Sequence, residues 1–290
     1  MADAAPTPQQ QVVAMFDRVA EGYDREALRF FPFVADRLIA RLKPAPGEKL
    51  LDVATGTGAV ALAAAQAVGA AGRVMAVDLS EGMLARLEAK LVKFGIGNID
   101  LHVMDASALE FRRDYFHHVV CSFGLFFLPD LPAALRQWMR VARPRGTVMF
   151  TAFGPNAFSP MMGLLRARLA AAGVELAPQR LADANECRTL LADAGLVDIE
   201  VCTERHGYHL RNELEWWEVV WNSALRGACE QLSPAALEAL RSAHLAEVAA
   251  LKSADGVWLD VETHFALGHK PACIGQLSVS GVGTDNVPRE

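Results

Sequence analysis

Asp52, Gly56, Gly58 and Asp78 are the residues whose types and spacing could do chemistry. The apolar run at 49–53 ends in Asp52, the bend Thr55-Gly56-Thr57-Gly58 follows, and an Ala-rich stretch starts at Ala59. A strand that stops at such a loop brings backbone N–H groups and a helix N-terminus to one point, where the polar end of a ligand docks. About twenty residues beyond the loop a second apolar run, Val74 to Val77, also ends in an acid, Asp78. That spacing suits a carboxylate accepting both hydroxyls of an adenosine ribose. Two acids and a glycine bend across one β-α-β unit point to an adenosine-containing cofactor.

The elements that must hold these residues follow from periodicity. Val12, Val13, Phe16 and Val19 recur at helical spacing and lead into Gly22-Tyr23-Asp24; a second helix over 33–42 stops at the breaker cluster Pro44-Ala45-Pro46-Gly47. Strands are then expected at 49–53, 74–78, 99–104, 116–122 and 147–153, with helices at 59–68, 80–94 and 131–141. Ser80 is placed to cap the second of these helices. Strands alternating with helices of this length imply a parallel sheet covered on both faces. Beyond it come helices at 159–171 and 183–194, a strand at 197–204, helical segments at 212–232 and 233–251, and a last alternating strand at 257–268. The fold class expected is α/β. It is a Rossmann-like, seven-stranded, mostly parallel sheet with helices on both faces, an N-terminal helical cap and a helical insertion before the last strand. In domain terms, 1–43 is the cap, 44–270 the core with the insertion at 210–252, and 271–290 a mobile tail.

Bulk properties narrow the function classes. A chain of 290 residues with 52% hydrophobic content can bury a sizeable core, and a net charge of −6 argues against a nucleic-acid partner. The five cysteines are scattered with no C-x-x-C pair, so neither zinc nor a disulfide framework is expected, and no metal ligand set is read anywhere. With no signal-peptide pattern and no apolar run long enough for a bilayer, the expectation is a cytoplasmic enzyme without membrane insertion.

Four segments in order carry a resemblance. Asp52-Val53-Ala54-Thr55-Gly56-Thr57-Gly58, Val77-Asp78-Leu79-Ser80-Glu81-Gly82-Met83-Leu84, Met104-Asp105-Ala106 and Val119-Val120-Cys121-Ser122-Phe123-Gly124-Leu125 resemble the successive motifs of class I S-adenosylmethionine-dependent methyltransferases. They are closest to the ubiquinone/menaquinone-biosynthesis C-methyltransferases and their small-molecule relatives. The opening Phe16-Asp17-Arg18-Val19-Ala20-Glu21-Gly22-Tyr23-Asp24 is similar to that family's N-terminal segment, and the resemblance covers about half the chain, residues 12–155. It implies S-adenosyl-L-methionine as cofactor, with Gly56 and Gly58 under its methionyl end, Asp52 and Ser122 toward its ammonium, and Ala54 and Leu79 among the residues that bind it. It further implies that Asp78 meets the ribose, Met83 an adenine face, Asp105 and Ala106 the adenine edge, and that Tyr23 closes over the cofactor. The rival reading, an NAD-dependent oxidoreductase, lacks the third glycine, whose place is held by Ala61, and any Tyr-x-x-x-Lys pair. An acid before the loop would also repel pyrophosphate. A non-catalytic S-adenosylmethionine-binding subunit is the other alternative.

Methyl transfer from a sulfonium depends mainly on alignment and water exclusion, so a catalytic motif is not required, and none is read. His206, Tyr208 and Tyr23 are the candidates for a general base. His117 and His118, at the far end of their strand, read as solvent-facing, and His264 as structural. The aromatic run Phe123, Phe126, Phe127, Phe153 and Phe158 with Met161 and Met162 suits a hydrophobic or aromatic small-molecule acceptor. The insertion is expected to form a lid or the surface of a homodimer. Within it lie Trp216, Trp217 and Trp221, of which Trp217 and Trp221 share one helix face by their i,i+4 spacing and read as core packing rather than acceptor contact.

Overall fold

The computed structural model describes residues 5–272; the expected mobile tail therefore lies, from residue 273 on, outside the described residues. In chain order the elements are α1 (Pro8–Val19), α2 (Phe30–Leu42), β1 (Lys49–Val53), α3 (Ala59–Val68), β2 (Arg73–Asp78), α4 (Glu81–Phe94), β3 (Ile99–Val103), β4 (Phe116–Ser122), α5 (Leu131–Val141) and β5 (Ala142–Phe153). There follow α6 (Met161–Ala171), α7 (Ala184–Asp193), β6 (Val197–Leu210), α8 (Glu213–Trp221), the short α9 (Arg226–Cys229), α10 (Pro234–Ala249) and β7 (Val257–His269).

Local chemistry sets the boundaries. Thr7 and Gln10 form a reciprocal capping box at the start of α1. Ser80 accepts from the Met83 N–H at the start of α4, and Gly95 closes that helix in the left-handed region. Asp130, Asn212 and Ser233 cap α5, α8 and α10 in the same way.

The seven strands form one sheet in the order β3-β2-β1-β4-β5-β7-β6, in which β7 runs antiparallel to both β5 and β6 and the other pairings are parallel. The order reverses between β1 and β4, and the crevice outside the carboxyl ends of strands at such a switch point is where ligands bind in open α/β sheets. In register, Val53 pairs with Val77 and Asp78 with Val103, so the acids closing β1 and β2 reach the same edge. One face of the sheet packs against α2, α3, α6, α8 and α10, the other against α5 and α7.

The expected α/β fold with its N-terminal helices and late insertion is the one observed. The insertion joins β6 to β7, which are paired neighbours, so it replaces a connection that could have been a hairpin turn. It is anchored, since Trp216 is fully buried and donates its indole N–H to Nε2 of His244 across 2.8 Å, tying α8 to α10. The expected strand at 197–204 is too short. β6 runs on to Leu210 because the whole length of β7 is available to pair with it.

Candidate functional site

The carboxylate of Asp78 is held by the turn that follows β1. Its Oδ2 accepts the Gly56 N–H at 2.8 Å and its Oδ1 accepts the Ser80 N–H at 2.9 Å. Burial pushes its pKa up against those hydrogen bonds. Gly56 adopts φ +56°, which points its N–H at the acid; the nearest atom a Cβ would meet is Cε1 of Tyr23, at 3.9 Å. Ala54 also takes a positive φ, 52°, an uncommon state for a residue with a Cβ and one that clusters at ligand sites.

Asp52 lies one layer deeper, 1% exposed, with Thr55 Oγ1 donating to it at 2.6 Å. Burial is the main reason its pKa rises to about 7; the Thr55 bond opposes the rise. A buried acid poised near neutrality gains most from a cationic partner, and Asp52 borders the crevice together with Ala54, Gly56 and Ser122. The Ser122 hydroxyl is bonded to Thr151 Oγ1 at 3.0 Å.

Asp78, Leu79, Met83, Met104 and Ala106 come together as an apolar slot roofed by Gln9, Val12, Val13 and Phe16 of α1. Met83 is 1% exposed and also packs against Met15, Val19 and Ala20, so it belongs to the slot and to the core at once. α1 is fastened across the slot. Asp17 accepts from Ser80 Oγ at 2.6 Å and from the Gly82 N–H at 3.0 Å. Further along the N-terminal segment, Asp24 accepts from Thr57 Oγ1 and Lys90 Nζ, both at 2.7 Å.

Two residues expected at the cofactor, Gly58 and Asp105, are not among those lining the crevice or the slot. Gly58 does not border the crevice. A Cβ there would lie 2.3 Å from Leu87 Cδ1, so this glycine serves the packing of α4 onto the loop, at φ +87°. Asp105 is turned away from the slot, accepting from the Ser107 N–H and hydroxyl at 2.7 and 2.6 Å and from Gln9 Nε2 at 2.7 Å. Burial raises its pKa, but these bonds outweigh it and hold the acid below the ordinary range. Its neighbour Ala106 remains at the slot.

Beside the slot opens a chamber of about 330 Å³. Phe123, Phe126, Phe127, Phe153, Phe158 and Met162 line it as the sequence suggested, whereas Met161 is fully buried in the core. Phe123 and Phe153 stack with centroids 4.0 Å apart and planes 13° apart. Phe123 and Phe158 hold φ of 53° and 61°. Tyr23 and Phe16 border both slot and chamber. Tyr23 stacks on Phe31 at 4.6 Å. Burial, then the nearby charges of Asp78 and Asp24, drive its phenol pKa far above the ordinary value.

The other two base candidates are not at the chamber. His206 and Tyr208 lie within the edge strand β6, not after it. His206 packs on Phe33 with ring centroids 4.9 Å apart, and the Tyr208 hydroxyl donates to the Ala27 carbonyl at 2.7 Å beneath the guanidinium of Arg29. His118 is not solvent-facing either. It is 9% exposed and bonded to Glu48 at 2.8 Å, while His117 Nδ1 accepts the Lys49 N–H. His264 is structural, bonded to Thr203 and to the Ala182 carbonyl. Of Trp216, Trp217 and Trp221, none lines the chamber, and Trp217 stacks on Trp221. Sequence reasoning missed Phe30 and Phe31 of α2, Val219, Ser223, Ala224 and Leu225 of the insertion, and Arg166 and Arg180. All of these reach the chamber only through long-range packing.

The donor set fits S-adenosylmethionine better than a dinucleotide. The Gly56 N–H is already given to Asp78 and is not free for a phosphate, and the acid behind the loop opposes an anion but suits an ammonium. Comparison with known proteins agrees. Residues 5–164 match the model of the ubiE/COQ5 methyltransferase family. Nocamycin O-methyltransferase of Saccharothrix syringae is 36% identical over 137 residues, which cover 47% of this chain and 49% of that protein, so the chain matches about half the length of that relative. The demethylmenaquinone methyltransferase of Geobacillus kaustophilus is 30% identical over 213 residues, 67% of this chain and 91% of that one. In fold, the chain is similar to phosphoethanolamine N-methyltransferase 2 of Haemonchus contortus, solved with phosphomonomethylethanolamine and S-adenosylhomocysteine. The TM-score is 0.59 and the identity 19%, over 92% of this chain and 61% of that one. Among the described residues no helix is long and apolar enough to cross a membrane.

Proposed function

Because this chain belongs to the ubiE/COQ5 methyltransferase family, we propose that it transfers a methyl group from S-adenosyl-L-methionine to a hydrophobic or aromatic small molecule seated in the phenylalanine-lined chamber. The observation that carries this reading is the juxtaposition of two differently built spaces. One is the slot with Asp78 fixed on the glycine bend; the other is the apolar chamber that shares Tyr23, Phe16, Phe123 and Phe127 with it.

When bound, S-adenosylmethionine supplies an electrophilic methyl carbon on a sulfonium. The remaining work belongs to the chain. Asp78 accepts the ribose hydroxyls with the lone pairs that Gly56 and Ser80 leave free. Asp52 and the backbone of Ala54 and Ser122 hold the ammonium end, and Leu79, Met83 and Ala106 enclose the adenine. Phe123, Phe153 and Phe158 fix the plane of the acceptor and keep water out, so that alignment supplies most of the rate. No His, Asp or Glu is among the residues lining the chamber, and the Tyr23 phenol stays protonated. The acceptor must therefore arrive ionised or be nucleophilic without help. The insertion acts as a wall of the acceptor chamber, contributing Val219, Ser223, Ala224 and Leu225.

Incubation with S-adenosylmethionine and a library of aromatic metabolites, read by mass spectrometry, should give a product one CH2 heavier. Calorimetry should detect S-adenosylhomocysteine and not NAD. Tight cofactor binding with no transfer to any acceptor would favour a non-catalytic subunit.

A further inference from the structure

Two cations sit at the wall of a chamber that carries no acid. Arg166, half-buried on α6, and Arg180, on the segment between α6 and α7, border the aromatic chamber, and no Asp or Glu is among its lining residues. In a chain of net charge −6 this is a local reversal of sign. Both guanidiniums are held in place by backbone. Arg166 Nη1 donates to the Leu176 carbonyl at 3.1 Å. Arg180 Nη1 donates to the carbonyls of Phe126 and Leu128 at 3.1 and 2.7 Å. Neither is within ion-pair distance of a carboxylate among the described residues, whereas Arg168, two positions from Arg166, is paired with Glu247 at 2.7 Å.

We propose that the acceptor is an aromatic molecule bearing an ionised acidic oxygen group, and that Arg166 and Arg180 are the residues that select for it. This inference rests on the methyltransferase reading given above. Each guanidinium commits one nitrogen to carbonyls, which fixes its plane and leaves its other N–H groups for a ligand. A planar fork pre-oriented in this way matches the two oxygens of a carboxylate. Arg166 is half-buried and Arg180 lies at the exposed rim. Arginines whose only fixed partners are neutral carbonyls gain from an anion delivered by the ligand, and the attraction is stronger at the half-buried Arg166, where less water screens it. The lack of a base in the chamber points the same way, since an acceptor that arrives ionised needs none. The apolar body is read by the phenylalanines, and the charge is read by the arginines.

The test uses 2-naphthoate and its neutral isostere 2-naphthamide as probes on the full chain saturated with S-adenosylhomocysteine, with binding followed by calorimetry. Naphthoate should bind about tenfold more tightly than naphthamide, the equivalent of one charge-assisted hydrogen bond. The double variant Arg166→Gln/Arg180→Gln should lose that preference while keeping its affinity for naphthamide and for S-adenosylhomocysteine. Equal binding of the two probes by the unaltered chain overturns the proposal without any variant. Preference persisting in a double variant that still binds S-adenosylhomocysteine overturns the assignment to these arginines. Failure of the unaltered chain to bind S-adenosylhomocysteine at all is a different result, and it would overturn the methyltransferase reading itself.

Discussion

The backbone N–H of Gly56 lies 2.8 Å from the carboxylate of Asp78, bridging the bend after β1 and the acid that ends β2. One oxygen of that carboxylate is thus pinned by a neighbouring strand and the other by Ser80, its own helix cap. The two bonds hold the acid in one orientation at the mouth of the slot. Under the proposed function, pre-orientation of this kind suits Asp78 to accept a ribose, because the ligand would not have to order it.

From that arrangement follows a graded loss. Asp78→Ala removes two charge-assisted acceptors and frees the bend, so affinity for S-adenosylhomocysteine should fall about a hundredfold. Asp78→Asn keeps one acceptor for the Gly56 N–H and should fall about tenfold. Calorimetry on folded variants checks both. Retained affinity in the alanine variant would remove the basis for placing the nucleoside in this crevice.

Asp52 gives the site a pH signature. Its folded pKa, about 7, stands above the ordinary 3.8. Between those values the folded chain keeps a proton that the unfolded chain has lost. Its contribution to stability therefore falls as pH rises from about 4 to about 7 and is level above that. Affinity for the ammonium-bearing cofactor should run the other way, rising as Asp52 ionises. Asp52→Asn should flatten both trends, shown by thermal melts of the free protein and by S-adenosylhomocysteine titrations between pH 5 and pH 8. A cofactor affinity that keeps its full pH dependence in Asp52→Asn would show that another group holds the ammonium.

Tyr23 offers a test of positioning against proton transfer. With its phenol held protonated by burial and by Asp78 and Asp24, it cannot serve as a base near neutrality. Tyr23→Phe keeps the stack on Phe31 and should lower kcat by no more than about threefold, with the pH–rate profile unshifted. Tyr23→Ala opens both the slot and the chamber and should cost about a hundredfold in kcat/KM. A large loss in the phenylalanine variant, together with a displaced profile, would restore the hydroxyl to the chemistry.

The sheet and the cofactor crevice were legible because their signals are local. An apolar run, an acid, two glycines and a helix cap fall within a few residues of one another, and Asp78 and Ser80 land where that pattern puts them. Gly58 and Asp105 show the limit of the same reasoning. Whether a glycine faces a ligand or a leucine on another helix depends on Leu87, about thirty residues away along a chain that folds back on itself. Whether Asp105 is free depends on Gln9 and Ser107. His206 and Tyr208 were misplaced because the end of β6 is set by its partner β7 and not by its own composition. The chamber was half visible. Its phenylalanines after β4 and β5 could be read from strand ends, but Arg166, Arg180, Phe30 and Phe31 approach it from helices and loops whose packing no short pattern encodes.

The wall that the insertion gives the chamber can be tested by filling it. Deleting the whole of it would strip cover from the core, since Trp216 is fully buried and bonded to His244, so a local change is the cleaner probe. Ala224 is partly exposed and borders the chamber near Phe16 and Tyr23. Ala224→Trp would place an indole in a space of about 330 Å³ that already has its full complement of aromatic rings, and a bulky acceptor would no longer fit. Because no residue of 213–225 lines the slot that holds Asp78, S-adenosylhomocysteine affinity should stay within about twofold, while kcat/KM for the acceptor drops by about a hundredfold, about 3 kcal/mol of transition-state binding. Loss of cofactor and acceptor binding together, in a variant that melts at the normal temperature, would mean the insertion supports the cofactor crevice instead. Unchanged turnover would mean the acceptor reaches the methyl group without passing this wall.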